Sequence, residues 1–131
     1  MQPDFSGIWK ADLTKTRLIG GSAKEIIAKI DHTDSTISVD MLFTPAHGAP
    51  YRIAFNGPTN GEPVENVVLG VTWHSTIQWV NSELRIDSRV NQNSRQFHFR
   101  DFWSLSQDGQ VLTMIHRDDD LAGQVTVLNK M

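Results

Sequence analysis

Between Val71 and His116 the chain can be written as three consecutive hairpins, with the large apolar residues mainly on one face and most charges on the other. Strand side chains alternate faces, so a turn of known length fixes which residues oppose one another. A turn at Asn81-Ser82 sets Trp79 against Leu84, Ile77 against Ile86, Ser75 against Ser88 and Trp73 against Val90. Gln78, Thr76 and His74 then face Arg85, Asp87 and Arg89 on the other side. A turn at Asn93-Ser94 sets Val90 against Phe97, Ser88 against Phe99, Ile86 against Asp101 and Leu84 against Trp103. Outside, Asp87 falls opposite Arg100, an opposite-charge pair that favours this register. Asp108-Gly109 reads as a type I′ turn, which needs positive φ. It sets Leu105 beside Leu112, Trp103 beside Met114 and Asp101 beside His116. The three turns agree on one interior, and a one-residue slip at any of them would turn the apolar set outward.

The N-terminal half repeats the pattern. With Asp34-Ser35 as a turn, Ile30 faces Val39, Ala28 faces Met41 and Ile26 faces Phe43, while Lys29 opposes Asp40 on the other face. Tyr51, Ile53 and Phe55 form a further alternating strand, broken after it by Asn56-Gly57-Pro58 and Asn60-Gly61. Glu62–Leu69 reads as another strand whose facing the pattern leaves open. Phe5–Lys10 and Leu121–Asn129 supply the first and last strands. Helix is confined to one short N-terminal turn over Asp12–Arg17, capped by Asp12 and ended by Gly20-Gly21. A sheet with this many strands and one apolar face must close on itself or split into a sandwich. Sequential hairpins favour closure, so the expected fold is an all-β, up-and-down antiparallel barrel of about eight to ten strands.

Length and charge narrow the function classes. At 131 residues, positions 1–131 are expected to form one domain. A net charge of −3 with no basic run argues against nucleic acid as a partner. The absence of cysteine excludes disulfides and thiolate metal sites but leaves the compartment open. No apolar run is long enough to span a membrane as a helix. No signal peptide is visible, and a start of Met1-Gln2-Pro3-Asp4 running almost at once into a strand suits a mature domain trimmed of a leader.

The two ends of the chain carry a family signal. Phe5-Ser6-Gly7-Ile8-Trp9-Lys10, followed by Asp12-Leu13-Thr14-Lys15-Thr16, resembles the F-S-G-x-W-x-x-(N/D)-L-x-K-(S/T) start of small bacterial lipocalin-like domains of the calycin group. Trp103-Ser104-Leu105-Ser106-Gln107-Asp108-Gly109-Gln110-Val111-Leu112-Thr113 is similar to that group's W-x-L-S-x-D-G-x-x-L-T run. The resemblance implies an antiparallel barrel, closed or nearly so, and export from the cytoplasm (secreted or periplasmic) in many bacterial members. It also implies a late arginine packed over Trp9, for which Arg117 is the candidate. One departure stands out: Ala11–Ala23 is too short and too Gly-interrupted to hold the two-helix lid that fatty-acid-binding proteins place after the first strand.

The candidate chemistry centres on Asp101 and His116, which the register places together on the interior side. An ionised carboxylate in an apolar interior is costly unless paired, so an adjacent imidazole donor is physically sensible. The pair reads as a polar handle in an apolar pocket, as a buried structural hydrogen bond, or as a pair at the barrel rim. A β-bulge near Phe102-Trp103 would instead turn Asp101 outward. Ser75 and Ser88 read as ligand contacts or as small fillers where the barrel tapers. Met41, Phe43, Phe55, Trp73, Trp79, Phe97, Phe99, Trp103 and Met114 supply the apolar interior, and Tyr51 adds a hydroxyl. Eight strands leave room for one small ligand and ten leave more, so on strand number a cavity is expected rather than a filled core.

The five histidines show no metal-ligating spacing, and Asp118-Asp119-Asp120 lacks a calcium-loop pattern. A haem barrel with His116 as axial ligand is a remoter reading. Ile27, Leu42, Phe102 and Ile115 fall on the outer face, a patch for the N-terminal turn or the second subunit of a homodimer to cover. Three functions follow. The first is non-catalytic, cofactor-free binding of a small apolar or amphipathic ligand by Asp101, His116, Ser88, Tyr51, Phe55, Met41, Trp73, Phe99, Trp103 and Met114. The second is an isomerase- or cyclase-like enzyme with His116 as acid/base held by Asp101. The third is a protein-interaction module with a filled barrel.

Overall fold

The computed structural model describes residues 3–19, 21–118 and 123–131. These form ten strands: β1 (Gly7–Ala11), β2 (Ala23–His32), β3 (Thr36–Pro45), β4 (Tyr51–Pro58), β5 (Val64–Val68), β6 (Val71–Val80), β7 (Glu83–Gln92), β8 (Arg95–Leu105), β9 (Val111–Asp118) and β10 (Gln124–Lys130). They make one antiparallel sheet in the order β4-β3-β2-β1-β10-β9-β8-β7-β6-β5. All but one of the neighbouring pairs are sequential hairpins. The exception, β1 against β10, joins the two ends of the chain and curls the sheet into an up-and-down barrel.

The register is the one the apolar alternation dictates. Trp73↔Val90, Ser75↔Ser88 and Trp79↔Leu84 pair between β6 and β7. Ile86↔Asp101 and Leu84↔Trp103 pair between β7 and β8, and Asp101↔His116 and Trp103↔Met114 between β8 and β9. Ala28↔Met41 and Lys29↔Asp40 pair between β2 and β3. Asn93 and Ser94 both adopt positive φ (52° and 64°), as a two-residue turn in a twisted hairpin requires.

Two local expectations need correcting. Asp108-Gly109 is not a two-residue type I′ turn. The Gly109 N–H donates to the Ser106 carbonyl at 2.9 Å, so the tight turn is centred one residue earlier, on Gln107-Asp108. Gly109 follows at φ +72°, where a side chain would be strained. The Leu105↔Leu112 pairing is unchanged, because both loop geometries span the same residues.

The segment after β1 is not a helical turn either. The Asp12 carboxylate does accept from the Thr14 N–H (3.1 Å) and hydroxyl (2.6 Å). Three residues beyond Thr14, however, Arg17 exchanges backbone hydrogen bonds of 2.7 and 2.9 Å with Val125 of β10. The Lys15 N–H donates to the Asp12 carbonyl at 3.1 Å, so Asp12–Lys15 is a single β-turn between two backbone attachments to β10. Gly20 and Leu121 lie outside the described residues.

The barrel is nearly, not fully, closed by its backbone ladder. β4 and β5 are the two sheet edges, and one side chain bridges them. Asn66 accepts from the Asn56 N–H at 3.0 Å and donates to the Asn56 carbonyl at 2.9 Å, doing with its amide what a paired strand would do with its backbone. Inside this seam β4 and β5 come so close that a Cβ on Gly57 would meet Val64 Cγ1 at 2.8 Å and Ile77 Cδ1 at 3.1 Å.

One end of the barrel is plugged. Phe5, which precedes β1, is fully buried together with Trp9, Ile30, Ile37, Ile77, Leu84, Leu112 and Leu128. The Phe5 carbonyl accepts from the Trp9 indole N–H at 3.0 Å. Its N–H donates to His32 Nδ1 at 3.2 Å. The cation over the Trp9 ring is Lys130, at 5.7 Å from the centroid. Arg117, the candidate for that role, is exposed on β9 instead.

Candidate functional site

Above the plug the interior is hollow. A cavity of about 870 Å³ is lined by Met41 of β3, Ile53 and Phe55 of β4, Trp73 of β6, Val90 of β7, Phe99, Asp101 and Trp103 of β8, Met114, His116 and Asp118 of β9, and Gln124 and Thr126 of β10. Turn and edge residues Ile19, Leu69, Arg95, Gln96 and Phe97 also reach it, so it opens at the end of the β5–β6 and β7–β8 turns. Trp103 is its floor: the ring contacts Phe55 at 6.1 Å on one side and the plug residue Phe5 at 6.0 Å on another. Phe55, Trp73 and Phe99 continue upward as an aromatic wall, with centroids 6.3 and 5.0 Å apart.

Asp101 and His116 meet on this wall. His116 Nδ1 lies 2.8 Å from Asp101 Oδ1. His116 Nε2 lies 3.3 Å from Asp118 Oδ1, so the imidazole bridges two carboxylates. The side chains of Asp101, His116 and Asp118 are only 21%, 30% and 31% accessible. Burial pushes the Asp101 carboxyl up from its ordinary value, against the hydrogen bond and charge of His116. At His116, burial pulls down, but the hydrogen bond to Asp101 and the charges of both acids outweigh it, and the net shift is upward. Both directions favour keeping a proton in the pair. A carboxylate at each ring nitrogen leaves neither lone pair turned to a metal, which argues against His116 as a haem ligand.

Of the ten residues expected to contact a ligand, eight line the cavity: Met41, Phe55, Trp73, Phe99, Asp101, Trp103, Met114 and His116. The other two are elsewhere. Ser88 is fully buried in the wall, hydrogen-bonded to Ser75 Oγ at 2.8 Å. Tyr51 stacks on Phe43 at 5.0 Å, outside the lining set. Asp101 faces in and Phe102 faces out, the latter beneath the Arg85 guanidinium at 5.4 Å.

Asp118 was missed as a wall residue, although the alternation contained it: two residues beyond His116 on one strand is the same face. His74 and His98 lie on the outer side with Glu65 (3.2 Å) and Asp87 (2.7 Å). Among the described residues no group of three or more His, Cys, Asp or Glu is placed to hold a metal ion. No helix there is long and apolar enough to cross a membrane.

No family model and no curated protein matches the chain. Solved structures do. The chain is similar to the REP1-NXSQ fatty acid transporter, with a TM-score of 0.71 at 10% identity over 98% of this chain and 96% of that one. It is similar to a secretory abundant heat soluble protein from Ramazzottius varieornatus, with a TM-score of 0.70 at 12% identity over 100% and 98%. Fatty-acid-binding protein 1 of Echinococcus granulosus matches with a TM-score of 0.67 at 14% identity, covering 97% of each chain. These likenesses show the fold, a ten-stranded antiparallel up-and-down barrel.

Proposed function

We propose that the protein is a non-catalytic carrier of a small apolar or amphipathic molecule held inside the barrel. The observation that carries this is the cavity of about 870 Å³ with one polar cluster in an otherwise largely apolar wall. That size and lining are those of small-molecule sites, where apolar surface supplies affinity and a few polar groups fix orientation. Met41, Phe55, Trp73, Phe99, Trp103 and Met114 would grip the ligand, and Asp101 with His116 would orient it without a cofactor. Fold neighbours described as a fatty acid transporter, a fatty-acid-binding protein and a lipid binding protein support the same reading. The motifs at both chain ends extend it to a small bacterial lipocalin-like, exported domain.

The same geometry weighs against the alternatives. A hollow interior does not suit a filled interaction module. In an acid/base enzyme the outer imidazole nitrogen would meet substrate, whereas here it faces Asp118. Trp73 and Trp103 report occupancy directly, so titration of the protein with N-phenyl-1-naphthylamine should quench or shift tryptophan emission saturably. His116→Ala should weaken ligand binding modestly. Absence of saturable binding by any apolar probe, together with native mass spectra of protein from its source that show no retained molecule, would overturn the carrier reading.

A further inference from the structure

We infer that the ligand's polar end is a hydrogen-bond-donating cation, an amine or ammonium head group, and not a carboxylate. This rests on the carrier reading above and specifies its ligand class. Asp101 and His116 lie 2.8 Å apart and pair one carboxyl with one imidazole. Asp118, 3.3 Å from the other ring nitrogen, gives the cluster two carboxyl groups to a single basic ring, so acidic groups are in excess. All three side chains line the cavity, between apolar walls that weaken solvent screening. The wall near them on β10, Gln124 and Thr126, carries no charge.

Among the described residues, the other charged or titratable groups reaching the cavity are Arg95 and His98. Arg95 sits beside the β7–β8 turn, its guanidinium 5.0 Å from the Phe97 centroid. Asp118 pairs in register with Phe99, four residues along β8 from Arg95, which sets their backbones about 13 Å apart at ordinary strand rise. His98 sits 2.7 Å from Asp87 on the outer side. The polar cluster therefore presents acceptors and negative charge to whatever enters. A carboxylate there would meet repulsion and carboxylate acceptors; an ammonium would donate to the Asp118 carboxylate with its chain along Phe99, Trp73 and Met41.

The test compares dodecylammonium, dodecanol and dodecanoate at pH 7, below their micellar concentrations, by competition with N-phenyl-1-naphthylamine and by isothermal calorimetry. The expected result is dodecylammonium at least about tenfold tighter than dodecanoate, the ratio that about 1.4 kcal/mol of head-group interaction provides, with dodecanol between them. Asp118→Asn should remove most of that ratio, and an unchanged far-UV circular dichroism spectrum shows that the variant is folded. Asp118→Ser gives a second variant with the same expected direction. Dodecanoate equal to or tighter than dodecylammonium would overturn the head-group assignment and leave the carrier reading standing. A preference that survives both variants would overturn the role of Asp118. Failure of all three probes would overturn the carrier reading itself.

Discussion

The rings of Phe5 and Trp79 lie face to face, centroids 5.6 Å apart and planes 8° from parallel, across the end of the barrel opposite the cavity mouth. Phe5 belongs to no strand, yet it is as buried as any residue in the protein and also meets Trp103 edge-on. Phe5→Ala should destabilise by about 3–5 kcal/mol, the usual cost of truncating a buried aromatic. Because Trp103 is also the cavity floor, the variant should lose probe affinity as well as stability. Urea denaturation followed by tryptophan emission measures the first effect and probe titration the second. A loss below about 1 kcal/mol would mean that the N-terminal segment is not a structural plug.

Two histidines should give the stability–pH curve opposite slopes on its two sides. His32 is 6% accessible, between Phe5 and Trp79, and its Nδ1 accepts from the Phe5 N–H. Burial holds it below its ordinary value of 6.5, with Asp4 and Asp34 opposing. Its contribution is therefore fully present above pH 6.5 and lost as pH falls through the depressed folded value. For His116 the folded value is raised above 6.5, so its contribution is present below pH 6.5 and lost as pH rises through that value. His32→Asn, which keeps an acceptor near the same place, should flatten the acid side of a urea-midpoint profile. His116→Gln should flatten the alkaline side. An unchanged slope in either variant would sink the corresponding assignment.

The Asn66 amide should govern local opening of the seam more than global stability. Its two hydrogen bonds to Asn56 are solvent-exposed, and exposed bonds compete with water, so Asn66→Ala should cost about 1 kcal/mol or less overall. The Asn56 amide loses the hydrogen bond that protects it across the β4–β5 edge, so its hydrogen exchange should accelerate selectively. Asn66→Asp keeps the acceptor but loses the donor, and should protect Asn56 better than Ala does. Equal exchange in all three proteins would show that Gly57, Val64 and Ile77 hold the seam unaided.

What the sequence revealed and what it hid divide along one physical line. Register was legible because alternation and turn length leave little freedom: placing turns at Asn81-Ser82, Asn93-Ser94 and Asp108-Gly109 was enough to bring Asp101 to His116 in the fold. Hollowness was legible only through strand number, because it depends on how far apart Met41 and Phe99 stand across the barrel, and no local pattern encodes that distance. Asn66 was hidden because a side chain acting as backbone leaves no compositional trace. Phe5 was hidden because residues outside a strand do not obey the two-residue period. Ser88 shows the limit of facing alone: it points inward as expected, but Ser75 occupies it and packing shuts it off from the cavity.

The β5–β6 turn exposes a choice of residue that stability alone does not explain. Leu69 adopts φ +52° and Gly70 φ +78°, the geometry in which Asn-Gly is preferred and a branched apolar side chain is strained. Leu69 is 61% exposed, and it lines the cavity mouth beside Val68 and Val71. An exposed leucine in a strained turn gains the fold nothing, but an apolar lip at the mouth lowers the barrier for an apolar chain passing from water to the interior. Leu69→Asn should raise stability by about 0.5–1 kcal/mol through relief of strain. It should also slow association of the apolar probe in stopped-flow fluorescence while leaving the dissociation constant little changed, because a lip acts on passage in both directions. A variant that is more stable and binds at an unaltered rate would show that the leucine has no part in ligand entry. A variant that is less stable would show that Leu69 packs against the rim strongly enough to offset its backbone strain.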